Sequence, residues 1–172
     1  MLRGRKLTYS GDARTRPMKD RVREAVFNLL GPGVQHTVAV DLFAGTGALG
    51  LEAISRGAAR AIFVEQHFPT AALIRRNAAA LGVADRCEIH SADTFIWARR
   101  GPRLGEAPLL FFCSPPYDFY VERRAPMQEL LAWACQLAAK GHGVVVEADE
   151  RFDVADLPVG MQWQTRSYPP AV

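Results

Sequence analysis

From residue 38 onward, short apolar runs alternate with longer stretches whose apolar residues recur at helical spacing. The runs TVAVDLF (37–43), RAIFVEQ (60–66), RCEIHSAD (86–93), LLFFCS (109–114) and GVVVEAD (143–149) read as strands. Between them lie TGALGLEAISRG (46–57), PTAALIRRNAAALG (69–82), TFIWARR (94–100) and PMQELLAWACQLAAKG (126–141), which read as helices, three of them ending at glycine. Mostly apolar strands of this kind are covered on both faces. Alternation with helices therefore predicts an α/β fold: a mostly parallel, doubly wound sheet with helices on both faces. The tail from Arg151 is weakly patterned, with room for one more strand around Met161–Arg166.

The segment before residue 38 follows a different rule. RPMKDRVREAVFNLL (16–30) predicts a helix with Pro17 in its first turn, an apolar face of Val22, Val26, Leu29 and Leu30, and a stop at GPG (31–33). Residues 1–16 are polar and basic, an arm or short hairpin, leaving 17–172 as a single domain. Net charge is +3, yet residues 1–30 hold eight Lys and Arg against three acids, and the rest of the chain holds 13 against 15. Positive charge gathered at one end is the footprint of a polyanionic partner. A solvated basic lead-in is the plain alternative.

Composition removes several classes. No run approaches the roughly 20 apolar residues of a membrane-spanning helix, and the N-terminus lacks the apolar stretch of a secretory signal. Cys87, Cys113 and Cys135 form no CxxC pair. His36, His67, His90 and His142 show no metal-ligand spacing, so neither a metal site nor a disulfide framework is expected. The expected home is the reducing cytoplasm.

In an open parallel sheet, ligands bind beyond the carboxyl ends of the strands. Three successive strand ends carry an acid: Asp41, Glu65 and Asp93. Asp41 is followed by a glycine loop in which Gly45, Gly47 and Gly50 spell GxGxxG, with Glu65 about 20 residues further on, the spacing of a dinucleotide fingerprint. An acid after the second strand would hold the ribose of NAD or of S-adenosylmethionine (AdoMet) equally well. Asp41 argues for AdoMet, because an anion there would repel a pyrophosphate and accept from an ammonium group. Asp93 would suit an adenine amine, and the chain is short for the second domain most dehydrogenases carry. Phe43, Ala44, Gln66 and Thr94 complete the expected cofactor site. Alternatively, the glycines only turn the chain and the acids only cap helices.

The fourth strand ends in Ser114-Pro115-Pro116-Tyr117. Two prolines freeze the backbone just past the strand. Ser114 Oγ and the Pro115 carbonyl could then accept the hydrogens of an exocyclic amine and aim its lone pair at a methyl donor, while Tyr117 stacks on the base. A rigid strand cap with a packed tyrosine is the rival account. Cys113 reads as a buried, inert thiol rather than a nucleophile. Trp97, Trp133 and Trp163 read as packing. Neither His67 nor His90 has a sequence partner that would make it a base.

RGRKL (3–7), TRPMKDRVREAVFNLL (15–30), VDLFAGTGALGLEAISRGA (40–58), Glu65, Asn77, Asp93 and the PPY turn together resemble the RsmD family, over about residues 3–150. Those enzymes are bacterial 16S rRNA guanine-N2 methyltransferases with a Rossmann-like class I methyltransferase fold. The resemblance implies AdoMet as methyl donor and a guanine of 16S rRNA, free or in the assembling small subunit, as substrate. It implies that Asp41, Gly45, Gly47, Glu65 and Asp93 line the cofactor site, with residues 114–117 at the reacting amine. Arg3, Arg5, Lys6, Arg16, Arg21 and Arg23 are the candidate phosphate contacts, and a monomer is expected. Two departures stand out. Ser114 replaces the family's usual Asp or Asn. The family also normally continues through a last pair of strands; either the sheet edge is incomplete here or this chain closes it differently, and an exposed edge would invite pairing with another chain. Ser114 keeps open a DNA amino-methyltransferase acting on cytosine N4 or adenine N6, and a degenerate RNA-binding homologue. An NAD-binding module would rest on GxGxxG alone.

Overall fold

The computed structural model describes residues 20–138 and 143–168. The basic arm, Pro17, Arg3, Arg5, Lys6 and Arg16 lie outside the described residues. Helix α1 (Asp20–Leu30) ends where Gly31 takes a left-handed φ of 48° and Pro32 follows. The chain then alternates β1 (Val38–Asp41), α2 (Ala48–Ser55), β2 (Arg60–Val64), α3 (Phe68–Leu81), β3 (Cys87–His90), α4 (Thr94–Arg99), β4 (Leu109–Cys113), α5 (Phe119–Glu122), α6 (Arg124–Ala138) and β5 (Val144–Val146).

The five strands form one parallel sheet in the order β3-β2-β1-β4-β5. Strand order reverses between β1 and β4, which opens a crevice at their carboxyl ends. Alternate residues of each strand serve opposite layers. Val38, Val40, Ile62, Val64 and Phe111 pack with Trp97, Met127, Leu130 and Leu131 beneath α4 and α6. Ala39, Ala61, Phe63, Leu110 and Phe112 pack with Phe27, Leu51, Ile54 and Ile74 beneath α1, α2 and α3. Phe63, Phe111 and Phe112 are fully buried, each contributing about 1.5–3 kcal/mol of transfer free energy.

Three sequence expectations need correction. On α1 it is Phe27 that is buried, while Leu29, expected on the apolar face, is 58% exposed. Helix α6 begins at Arg124 rather than Pro126, because the one-turn α5 runs into it and the Met127 N–H already donates to the Arg123 carbonyl at 2.9 Å. No strand forms at Met161–Arg166. Gly160 turns the chain with φ 94°, and the Trp163 indole donates back to the Pro158 carbonyl at 3.1 Å, which draws this stretch into a local loop. Among the described residues, β3 and β5 are the sheet edges, and no helix is long and apolar enough to cross a membrane.

Candidate active site

The loop after β1 needs its glycines for two separate reasons. Gly45 and Gly47 take φ of 50° and 78°, the left-handed region that a side chain disfavours. Gly50 sits where α2 crosses β2, and a Cβ there would lie 2.3 Å from Phe63 Cε1. Glycine therefore makes both the turn and the close helix–strand approach. Ala44 is buried and its N–H donates to the Val64 carbonyl at 3.0 Å, pinning the loop against β2.

Asp41 lies under this loop, 1% exposed. Its Oδ2 accepts the Gly50 N–H at 3.2 Å, while Oδ1 is buried with no partner among the described residues. Burial pushes its carboxyl up to about 7; the Gly50 N–H opposes that shift and the nearby Glu65 charge adds to it. A buried carboxylate oxygen left without a donor is able to accept from a cationic group and would repel a phosphate.

Glu65 ties three elements together. Oε2 accepts the Gly45 N–H at 2.8 Å and Oε1 accepts the His67 N–H at 2.7 Å, so the acid joins the end of β2 to the glycine loop and to the start of α3. Burial raises its carboxyl above the usual range, with those two N–H groups opposing. Each carboxylate oxygen has a second lone pair available for a hydroxyl. Gln66 is exposed beside it. Asp93 caps α4, accepting the Ile96 N–H at 3.0 Å through Oδ1, and its Oδ2 lies 3.7 Å from Arg123. The capping role is therefore real for Asp93, whose other oxygen is paired with Arg123. Thr94 Oγ1 donates to the Leu42 carbonyl, joining α4 to the loop after β1. Phe43 meets Phe95 and Phe119 edge-on, with centroids 6.0 and 6.1 Å away. The Arg123 guanidinium lies 4.6 Å over Phe119, a cation–π contact closing this aromatic wall.

The SPPY turn stands beside these loops, since β4 pairs with β1. Pro116 launches α5: its carbonyl accepts the Phe119 N–H at 2.9 Å, and the Tyr117 carbonyl accepts from Tyr120 at 3.1 Å. Ser114 is not a bare acceptor. Its Oγ donates to Glu147 Oε2, and the Tyr117 hydroxyl donates to Glu147 Oε1 at 3.0 Å. Sequence reasoning missed Glu147, although the signal was present. GVVVEAD reads as a strand, and its acid stands at the carboxyl end of that strand as the other three acids do at theirs. Val146 pairs with Cys113 in register, so the next residue on β5 must stand beside Ser114.

The remaining candidates separate cleanly. Cys113 is fully buried, which pushes its thiol up to about 12; no thiolate is available for attack. His67 Nδ1 lies 2.8 Å from Thr70 Oγ1, and His90 Nε2 lies 2.7 Å from Glu88. Among the described residues no group of His, Cys, Asp and Glu could hold a metal ion. Trp97 and Trp133 pack edge-on in the core layer. On α1, Arg21 is exposed, whereas Arg23 is paired with Asp20 at 2.8 Å.

Pairing of β1 with β2 and β4 thus brings the glycine loop, the buried Asp41 carboxylate and Glu65 beside the SPPY turn at the carboxyl ends of the strands. The family described as Conserved hypothetical protein 95 matches residues 1–168. YlbH of Bacillus subtilis is 32% identical over 154 residues, 90% of this chain and 82% of that one. Ribosomal RNA small subunit methyltransferase D of Escherichia coli is 35% identical over 129 residues, 75% of this chain but only 61% of the enzyme's length. The solved structure of Escherichia coli yhhF superposes with a TM-score of 0.74 at 27% identity, covering 98% of this chain and 88% of that one. The fold is thus the Rossmann-like class I methyltransferase fold, and the chain belongs to the Conserved hypothetical protein 95 family, the RsmD family that its motifs resemble.

Proposed function

We propose that this chain transfers a methyl group from AdoMet to the exocyclic N2 amine of a guanine in small-subunit ribosomal RNA. The observation that carries the reading is the buried Asp41 carboxylate oxygen, without a partner among the described residues, beneath the glycine loop at the end of β1, the strand that pairs with the one ending in the SPPY turn. Asp41 would take the ammonium of the cofactor's amino-acid portion, Glu65 its ribose hydroxyls, and Asp93 with Thr94 its adenine. Phe43, Ala44, Gly45, Gly47 and Gln66 would form the walls. Bound there, AdoMet supplies an electrophilic methyl group on a sulfonium.

The chain's own part is positional. Ser114 and the Pro115 carbonyl hold the amine with its lone pair toward the methyl group, and Tyr117 and the two prolines keep that geometry fixed. An amine needs no prior deprotonation to attack a sulfonium methyl, so the orientation of its lone pair comes first. The ribosomal acceptor rests on the named Escherichia coli relative and on the positive N-terminal segment; guanine N2 rests on the RsmD resemblance. A ribosomal substrate supports a cytoplasmic home. NAD fits less well, because its pyrophosphate would face the Asp41 carboxylate.

The test is transfer of labelled methyl from AdoMet to small ribosomal subunits from a strain lacking the cognate enzyme, with duplex DNA in parallel. Label in 16S rRNA is the expected result. Label in DNA alone would overturn the ribosomal reading in favour of a cytosine N4 or adenine N6 enzyme. No label, with AdoMet still bound in calorimetry, would leave a degenerate RNA-binding homologue.

A further inference from the structure

Glu147 is anchored at four points. Its N–H donates to the Cys113 carbonyl at 2.9 Å, and its carbonyl accepts the Tyr120 hydroxyl at 2.8 Å. Its carboxylate takes the Ser114 hydroxyl on Oε2 and the Tyr117 hydroxyl on Oε1. Phe152 packs on Tyr120 with ring centroids 4.6 Å apart, and Arg151 bridges Asp149 to Asp118 at 2.8 Å on each side, so the segment following Glu147 is docked against α5.

The consequence falls on Ser114. A lone serine can turn its hydrogen toward an incoming amine and bind the very lone pair that must attack. With that hydrogen given to Glu147, Ser114 Oγ presents only lone pairs, and so accepts an amine hydrogen instead. We infer that Glu147 is the positioning residue of the methyl-transfer site, holding Ser114 as an acceptor and receiving through it the proton that the methylated amine sheds. The inference rests on the methyltransferase reading above. The carboxylate missing at position 114 is supplied from the neighbouring strand.

The step balances. The amine lone pair forms the N–C bond, the C–S bonding pair goes to sulfur, and the nitrogen becomes cationic. One N–H proton passes to Ser114 Oγ while the Ser114 hydroxyl proton passes to Glu147 Oε2. A neutral secondary amine remains, and the carboxylic acid returns its proton to water. The Tyr117 hydroxyl keeps the second oxygen in place, so the carboxylate cannot swing away.

The experiment compares wild type, Glu147→Gln and the double variant Ser114→Asp/Glu147→Gln. It measures kcat and KM for methyl transfer, AdoMet affinity by calorimetry, and thermal melting. Glu147→Gln is expected to lower kcat roughly a hundredfold, the usual worth of a positioned proton acceptor, with KM, AdoMet affinity and melting unchanged. The double variant, which restores an acid directly at the turn, is expected to recover most of the rate. A wild-type rate in Glu147→Gln, a rate loss matched by lost AdoMet binding, or no recovery in the double variant would overturn the inference. Should Glu147→Gln fail to fold, Ser114→Ala keeps Glu147 and Tyr117 in place and must show the same kcat loss with AdoMet affinity intact; a normal rate there overturns it equally. A wild type that methylates neither RNA nor DNA overturns the functional reading and this inference with it. An active wild type with an equally active Glu147→Gln overturns the inference alone.

Discussion

Asp41 shows how one residue can be costly in the free protein and useful in the complex. Folding removes it from water and gives its carboxylate a single backbone partner, so its carboxyl moves from the ordinary 3.8 up to about 7. A raised folded value means that the stability linked to this group is full below pH 3.8 and is lost as pH rises through 7. A bound ammonium reverses the balance by favouring the ionised form. Two outcomes are expected. Without ligand, the pH dependence of the melting temperature between 4 and 7 should flatten in Asp41→Asn. In the wild type, the rise in melting temperature on adding AdoMet should be larger at pH 8 than at pH 5. Equal rises at both pH values would contradict the ammonium assignment.

At the scale of elements, the α2–β2 contact depends on a missing side chain. A Cβ at Gly50 would meet the Phe63 ring, itself fully buried between β2 and the helices, where overpacking typically costs about 1–3 kcal/mol. Gly50→Ala should therefore lower the urea midpoint by a corresponding amount and weaken AdoMet binding, since the same loop carries Gly47. Unchanged stability would show that the helix can slide away freely. All five strands, the sheet and its two helical layers were legible from the sequence, because apolar runs separated by helical spacing leave few other arrangements. The three strand-end acids and the SPPY turn were legible for the same reason, since parallel strands deliver their carboxyl ends to one edge. The one-turn α5 was not, as four residues carry no periodicity. Nor was the pairing of Ser114 with Glu147, which depends on β5 lying beside β4 in register. That adjacency joins residues 33 positions apart and is decided by tertiary packing. The Met161–Arg166 expectation failed because alternation alone cannot show that Gly160 and Trp163 fold the stretch back on itself.

At the scale of the whole molecule, charge and chemistry lie in different parts of the chain. The carboxyl ends of the strands carry the candidate site, while residues 1–30, whose last part is α1, hold eight basic and three acidic side chains. If that segment grips the RNA backbone, its contribution is counterion release, about 0.7 in the logarithmic salt slope for each phosphate neutralised on single strands. Replacing Arg3 and Arg5 by glutamine should then lower the slope by about 1.4 while leaving AdoMet affinity unchanged. A slope identical to wild type would remove these two residues from the RNA contact. Arg23, already paired with Asp20, should contribute less than the exposed Arg21.

The central claim is that the cradle around Asp41 and the turn at Ser114 serve one reaction, methylation of a guanine amine in ribosomal RNA. Nucleoside mass analysis of 16S rRNA, after reaction of AdoMet and this protein with subunits lacking the modification, tests it most directly. The account predicts N2-methylguanosine, absent without protein and strongly reduced with Asp41→Asn. A methylated base other than N2-methylguanosine, or a product unaffected by Asp41→Asn, would contradict it.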